Sequence, residues 1–164
     1  MTPQLPEIVC RDARVTDAGI ITLYNQRLAL ETEGRGLEPA RVDAGVRALL
    51  EDPAKGRYFV AEVGRRVVGQ VGLTWEWSDW RNGVFWWFQS VYVEAGFRRL
   101  GVFTRLFRHV EECARVDAAC CGLRLYVEHH NAPAQAVYAR LGMRHAGFEV
   151  LEIDFTGMPV PRRP

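Results

Sequence analysis

No run of about 18 apolar residues occurs anywhere in this chain, so nothing in it is built to cross a membrane as a helix. The opening stretch, MTPQLPEIVC, lacks a basic region followed by an apolar run, and the expectation is a soluble, cytoplasmic protein. Cysteine is scarce. Cys10, Cys113, Cys120 and Cys121 show no C-x-x-C spacing, and the adjacent pair is poorly placed for a disulfide of normal geometry, so free thiols are expected. Charge of one sign is also missing: 21 Lys and Arg offset 20 Asp and Glu, the signs are interleaved, and the net charge is +1. That leaves no positive excess to hold a nucleic-acid backbone. His129 and His130 stand beside each other, an arrangement that points them apart on an extended chain, and no metal-ligand spacing appears, so no metal is expected. Ser90 has no nucleophile-elbow motif around it, which argues against a hydrolase.

What is present suffices for one domain. With 164 residues, 48% of them hydrophobic, residues 1–164 read as a single unit with a core over about 8–155 and a loose, Pro-rich tail over 157–164. The periodicity predicts a strand over 8–13, then a helix capped by Thr16 or Asp17 and running to about Glu31. Gly34 and Gly36 are expected to stop that helix, and the stretch 31–36, which also holds Glu31 and Glu33, reads as a polar, flexible linker before a second helix from Pro39 to about Leu50. Strands over 57–63, 67–77 and 85–93 follow, joined by Gly64-Arg65-Arg66 and by a turn containing Asn82-Gly83. Phe103, Leu106, Phe107, Val110 and Ala114 recur at helical spacing to about Ala118, and Leu123, Leu125 and Val127 alternate as a strand. A helix capped by Asn131 and closed by Gly142, then a last strand over about 146–155, complete a mixed α/β fold: a mostly antiparallel sheet with flanking helices.

The chain is organised around residues 89–107. A strand ends in a polar turn holding Arg98, Arg99 and Gly101, and a helix begins at once. The first amides of that helix are unpaired and carry partial positive charge, and two guanidinium groups add full charge. Gly101 lets backbone approach a ligand closely. A bound pyrophosphate is the natural ligand, although a solvated basic turn would show the same letters.

Arg98-Arg99-Leu100-Gly101-Val102-Phe103 resembles the Q/R-x-x-G-x-G/A loop of the GNAT superfamily of acyl-CoA-dependent N-acyltransferases, with Val91, Tyr92 and Val93 standing where the family's central strand precedes it. Phe103 departs from the last Gly or Ala, and its ring must point into the core or displace part of the cofactor. A second signature is similar as well: Asn131, then Tyr138, then Leu141-Gly142-Met143. The resemblance implies a GNAT-like fold and an N-acetyltransferase moving an acetyl group from acetyl-CoA to a primary amine of a small molecule or peptide. It implies cofactor contacts from Val91, Tyr92, Val93, Arg98, Arg99, Leu100, Gly101, Val102, Phe103, Thr104 and Asn131. Tyr138 would be the acid that meets the departing thiolate; on residue type alone it could equally be a half-buried aromatic packing with Leu141.

Glu31 and Glu33 fall in the region that shapes the acceptor site in that family, or are simply solvated. Trp75, Trp77, Trp80, Trp86 and Trp87 cluster around one turn and suit either an acceptor pocket or an interface such as a homodimer's. Glu76, between Trp75 and Trp77, is either a solvated carboxylate or the group that helps deprotonate the amine. The rival from another class is a non-catalytic acyl-CoA-binding or interaction module.

Overall fold

The run Tyr58, Phe59, Val60, Ala61 is apolar at every position, the pattern of a strand covered on both faces. The computed structural model, which describes residues 7–127 and 129–157, shows how both are covered. Strands β1 (Ile8–Asp12), β2 (Arg57–Val63), β3 (Arg66–Ser78), β4 (Gly83–Val93) and β5 (Cys120–Leu125) lie in that order in one sheet. β1 to β4 pair antiparallel with one another in succession, and β5 is parallel to β4. A parallel return needs a crossover, which α3 (Val102–Val116) supplies.

Successive residues of β2 serve opposite layers. Tyr58 and Val60 pack with Ala18 and Ile21 of α1 (Ala18–Glu33) and Val46 of α2 (Pro39–Glu51). Phe59, between them, meets His109 of α3 edge-on at 5.1 Å. Phe88 of β4 stacks on Phe107 of α3 at 5.5 Å, on the same side. The crossover helix buries four of the five residues of its predicted apolar face, Leu106, Phe107, Val110 and Ala114; Phe103 is only half-buried, and Val102 is buried beside it.

The chain divides into two compact units, one ending at Tyr126 and the other beginning at Val127. The second contains α4 (Ala132–Arg140). Among its described residues no strand forms over 146–155, contrary to the alternation there, and Phe148, Leu151 and Phe155 are exposed at 80%, 92% and 94%. Alternation says which side chains can share a face; a strand also needs an edge to pair with. Residues 158–164, where most of the tail falls, lie outside the described residues.

The predicted linker is also corrected. Glu31, Thr32 and Glu33 form the last turn of α1, which continues until Gly34 takes the left-handed conformation at φ 65°. No helix breaker precedes Gly34, and the Thr32 hydroxyl donates back to the Leu28 carbonyl at 2.8 Å. The four cysteines are free and half-buried, and burial pushes the Cys10, Cys113 and Cys120 thiols up.

Where β1 feeds α1, Asp17 is buried. Its carboxylate accepts from both Nη atoms of Arg11 (2.8 and 3.1 Å) and from the Arg14 amide at 2.7 Å. Burial alone would push this carboxyl up, but the Arg11 and Arg14 hydrogen bonds outweigh it and hold the group below its ordinary value. A depressed carboxyl stabilises the fold above its unfolded pKa of about 3.9, and that contribution is lost as pH falls through the lower folded value. Asp17→Asn is expected to cost about 1–3 kcal/mol near neutrality, with the wild-type and variant melting curves converging below about pH 4. Melting temperatures that stay equally separated down the pH series would remove the carboxylate from this role.

Candidate functional site

β4 carries the site. β5 pairs with it only from Val84 to Phe88, so the β5-facing edge of residues 89–93 has no strand partner among the described residues. A bulge falls at the same point: Leu73 pairs with Phe88 and Gly72 with Ser90, leaving Gln89 unmatched. Backbone groups of Val91 and Val93 are thus next to an opening, while Tyr92 is buried.

Beyond Val93 a short 3-10 turn (Ala95–Phe97) leads into the basic turn. Arg99 (φ 65°) and Gly101 (φ 85°) are both left-handed, an alternation that turns successive amides toward one concavity. Gly101 is the N-cap of α3, no side chain caps that helix start, and its first turn contains no acidic residue. A Cβ built on Gly101 would meet no protein atom within 4 Å, so the space over the turn is open. Arg99 and Thr104 are exposed. Phe103 leans toward Phe107, centroids 6.1 Å apart, and is half-buried. An uncapped helix start, an open glycine and an unpaired strand edge together fit a ligand that carries phosphates and extends along β4.

Arg98 is placed differently. Its Nε donates to the Val93 carbonyl at 2.9 Å, its Nη2 to Glu31 Oε2 at 2.5 Å, and its guanidinium lies 5.3 Å from the Tyr92 ring centre. The Tyr92 hydroxyl donates to Glu31 Oε1 at 2.8 Å. Burial would raise the Glu31 carboxyl, but the hydrogen bonds from Arg98 and Tyr92 prevail and lower it; burial and the Glu31 bond raise the Tyr92 phenol. Tyr92 in turn packs on Tyr24 at 4.9 Å, whose hydroxyl donates to the Val67 carbonyl at 2.8 Å.

The structure therefore gathers Glu31, Tyr92, Val93 and Arg98, keeps Glu33 in the same helix turn as Glu31, and separates Glu76 and Trp75 from them. Glu33 pairs with Arg35 at 2.5 Å. Glu76 pairs with Arg124, whose guanidinium sits 3.8 Å over the Phe85 ring. Glu76 is matched in register with Phe85, four residues before Gln89, or about 13 Å of strand. Trp75 projects to the opposite face, 5.2 Å from Trp86, with its indole Nε1 donating to the Pro53 carbonyl at 2.7 Å. There it lines a cavity of about 580 Å³ with Leu49, Leu50 and Trp86, and its register partner Trp86 lies about 23 Å of strand from Val93. Trp77 and Trp80 at the hairpin tip are exposed at 61% and 88%. Arg124 had no local signal in the sequence; it reaches Glu76 only because β5 returns beside β4.

In the second unit, the Asn131 side chain accepts from the Ala134 amide at 3.2 Å, the N-cap read from the sequence. Tyr138 lies seven residues on, nearly two full turns and about 10 Å along the axis, so the two share a helix face. Tyr138 is half-buried, and burial raises its phenol above the ordinary value.

The acetyltransferase (GNAT) family profile matches residues 22–143, and the chain belongs to that family. Among solved structures, a possible acetyltransferase from Clostridium difficile 630 is 44% identical, with a TM-score of 0.84, over 90% of this chain and 97% of that one. The aminoglycoside N-acetyltransferase AAC(6')-Iy in complex with CoA is 14% identical (TM-score 0.76; 94% and 99% covered). The ribosomal-protein-alanine N-acetyltransferase from Brucella melitensis biovar Abortus 2308 is 17% identical (TM-score 0.71; 91% and 100% covered). These two likenesses show the fold alone. A comparison with curated proteins found no match. Among the described residues no helix is long and apolar enough to cross a membrane, and no group of three potential metal ligands occurs.

Proposed function

We propose that the protein is an acetyl-CoA-dependent N-acetyltransferase acting in the cytoplasm, in which a primary amine of a small molecule or peptide attacks the thioester directly. The observation that carries this is the uncapped start of α3 beneath an open Gly101, beside the edge of β4 that has no strand partner among the described residues. The amides of residues 100–104 and the Arg99 guanidinium would receive the pyrophosphate. Asn131 would contact the pantetheine arm, its amide having hydrogen-bonding sites beyond the N-cap bond. Acetyl-CoA supplies the activated acyl group. The chain's own part is to hold it extended, to present backbone amide near Val91 and Val93 to the oxyanion, and to let the Tyr138 phenol donate to the leaving sulfur. No covalent enzyme intermediate is needed. CoA-bound and aminoglycoside-modifying relatives of the same fold support this reading.

The test is an acceptor screen. Purified protein with acetyl-CoA should release CoA on meeting some member of a panel of amino acids, polyamines, aminoglycosides and peptide N-termini, the product being followed by mass spectrometry. Binding of acetyl-CoA without release on any acceptor would favour the non-catalytic module. A cationic amine must lose a proton before attack, so the rate should climb with pH toward the amine's pKa. A flat profile from about pH 6 to 9 would remove amine deprotonation as a controlling step.

A further inference from the structure

Spacing alone assigns both arginines of the basic turn to phosphate, yet they stand in different situations. Arg99 is exposed in the left-handed conformation and makes no ion pair among the described residues. Arg98 is held on three sides: the Val93 carbonyl, the Glu31 carboxylate and the Tyr92 ring. We infer that Glu31 is a positioning residue for the cofactor turn, fixing Arg98 as a strut between the last turn of α1 and the end of β4, so that anion recognition falls to Arg99 and the backbone amides. This rests on the turn being the pyrophosphate site proposed above.

Geometry carries the step. A guanidinium grips phosphate best with two N–H groups aimed the same way, and with Nε and one Nη2 N–H given to other acceptors the fork that uses Nε is closed to a phosphate, leaving three of five N–H groups. Its charge is matched by a carboxylate 2.5 Å away. If Arg98 swung out to a phosphate, Glu31 would keep only its Tyr92 bond and would add a negative charge beside the incoming ligand. Kept in place, the pair joins 67 residues of sequence separation into one contact and braces the turn against a buried tyrosine. The Glu31 and Arg98 side chains are 42% and 44% exposed, so the pair adds little to folding, as exposed ion pairs do. Its effect is local: it sets where the amides after Val93 point. It also links the last turn of helix α1 to the cofactor turn.

The two assignments predict opposite signs for one substitution. If Arg98 binds phosphate and Glu31 merely competes for it, Glu31→Gln frees a cation and removes a repulsive charge, and CoA binds as tightly or more tightly. If Glu31 is the brace, Glu31→Gln weakens CoA binding by roughly threefold to tenfold with a nearly unchanged melting temperature. Calorimetry with CoA on wild type, Glu31→Gln, Arg98→Ala and the double variant decides between them. The strut requires the double variant to bind no worse than Arg98→Ala alone, and Arg99→Ala to weaken binding by a similar factor with or without Glu31. Tighter binding in Glu31→Gln, or an undiminished Arg98→Ala effect in that background, overturns it. Amide hydrogen exchange in the ligand-free protein gives a readout that survives even if CoA does not bind. Exchange over residues 99–104 should quicken in Glu31→Gln, and unchanged exchange also overturns the strut. Failure of the wild type to bind CoA would instead strike the cofactor reading.

Discussion

Tyr138→Phe is expected to lower kcat by about 10- to 1,000-fold while leaving the CoA dissociation constant within about threefold and the melting temperature nearly unchanged. When the tetrahedral intermediate collapses, charge builds on a sulfur whose thiol pKa resembles that of Cys, about 8.5, and a free Tyr lies near 10. Full proton transfer is therefore uphill by roughly 2 kcal/mol from an unperturbed phenol. Burial raises the Tyr138 phenol further, which makes complete transfer harder but keeps the hydroxyl a donor across the working pH range. A hydrogen bond that strengthens only as the thiolate forms lowers the barrier more than it tightens ground-state binding, so the loss belongs in kcat. The ring, which provides the packing, is retained in Phe. Steady-state kinetics with calorimetry and a thermal melt would measure all three quantities. Wild-type kcat in the variant would mean that Tyr138 serves as a half-buried aromatic and that the thiolate leaves unaided or takes its proton from water.

Gly101→Val should weaken CoA binding by about 1–3 kcal/mol, roughly 5- to 150-fold. Because a Cβ at this position meets no protein atom within 4 Å, packing offers no objection in the ligand-free protein; what the side chain occupies is the space above the amides. The backbone does object, since Gly101 sits at φ 85° and a β-branched residue there is strained by about 1–3 kcal/mol. Gly64 separates the two penalties, being left-handed at φ 62° with open space around it, in the β2 to β3 turn. Gly64→Val should lose comparable stability and keep its CoA affinity. Calorimetry on both variants, after thermal melts confirm that they fold, provides the measurement. An affinity unchanged within about 0.5 kcal/mol in Gly101→Val would remove the phosphate cradle from this turn.

Much of this was legible along the chain. The two left-handed positions of the basic turn could not be seen, but the glycine that tolerates one of them, the arginines beside it and the helical spacing from Phe103 to Ala114 are local properties, and local chemistry dictates them. The same holds for Asn131 as an N-cap and for the Pro39 helix start. Gly34 as the stop of α1 was legible too, but the turn Glu31–Glu33 before it reads as linker because polar residues near a glycine look like a loop, whereas a helix continues until a left-handed residue ends it. Which residues meet across the fold was decided only by the sheet. β5 leaving β4 at Phe88 opens the edge at residues 89–93, and no periodicity within either strand encodes where two strands part. Strand alternation already separated Trp75 from Glu76, but Glu76 found Arg124, and Arg98 found Glu31, through partners 48 and 67 residues away. An ion pair depends on distance in space, which chain spacing does not set beyond a turn or two of helix, so the turn's charge could be read from the sequence while the job of each arginine in it could not.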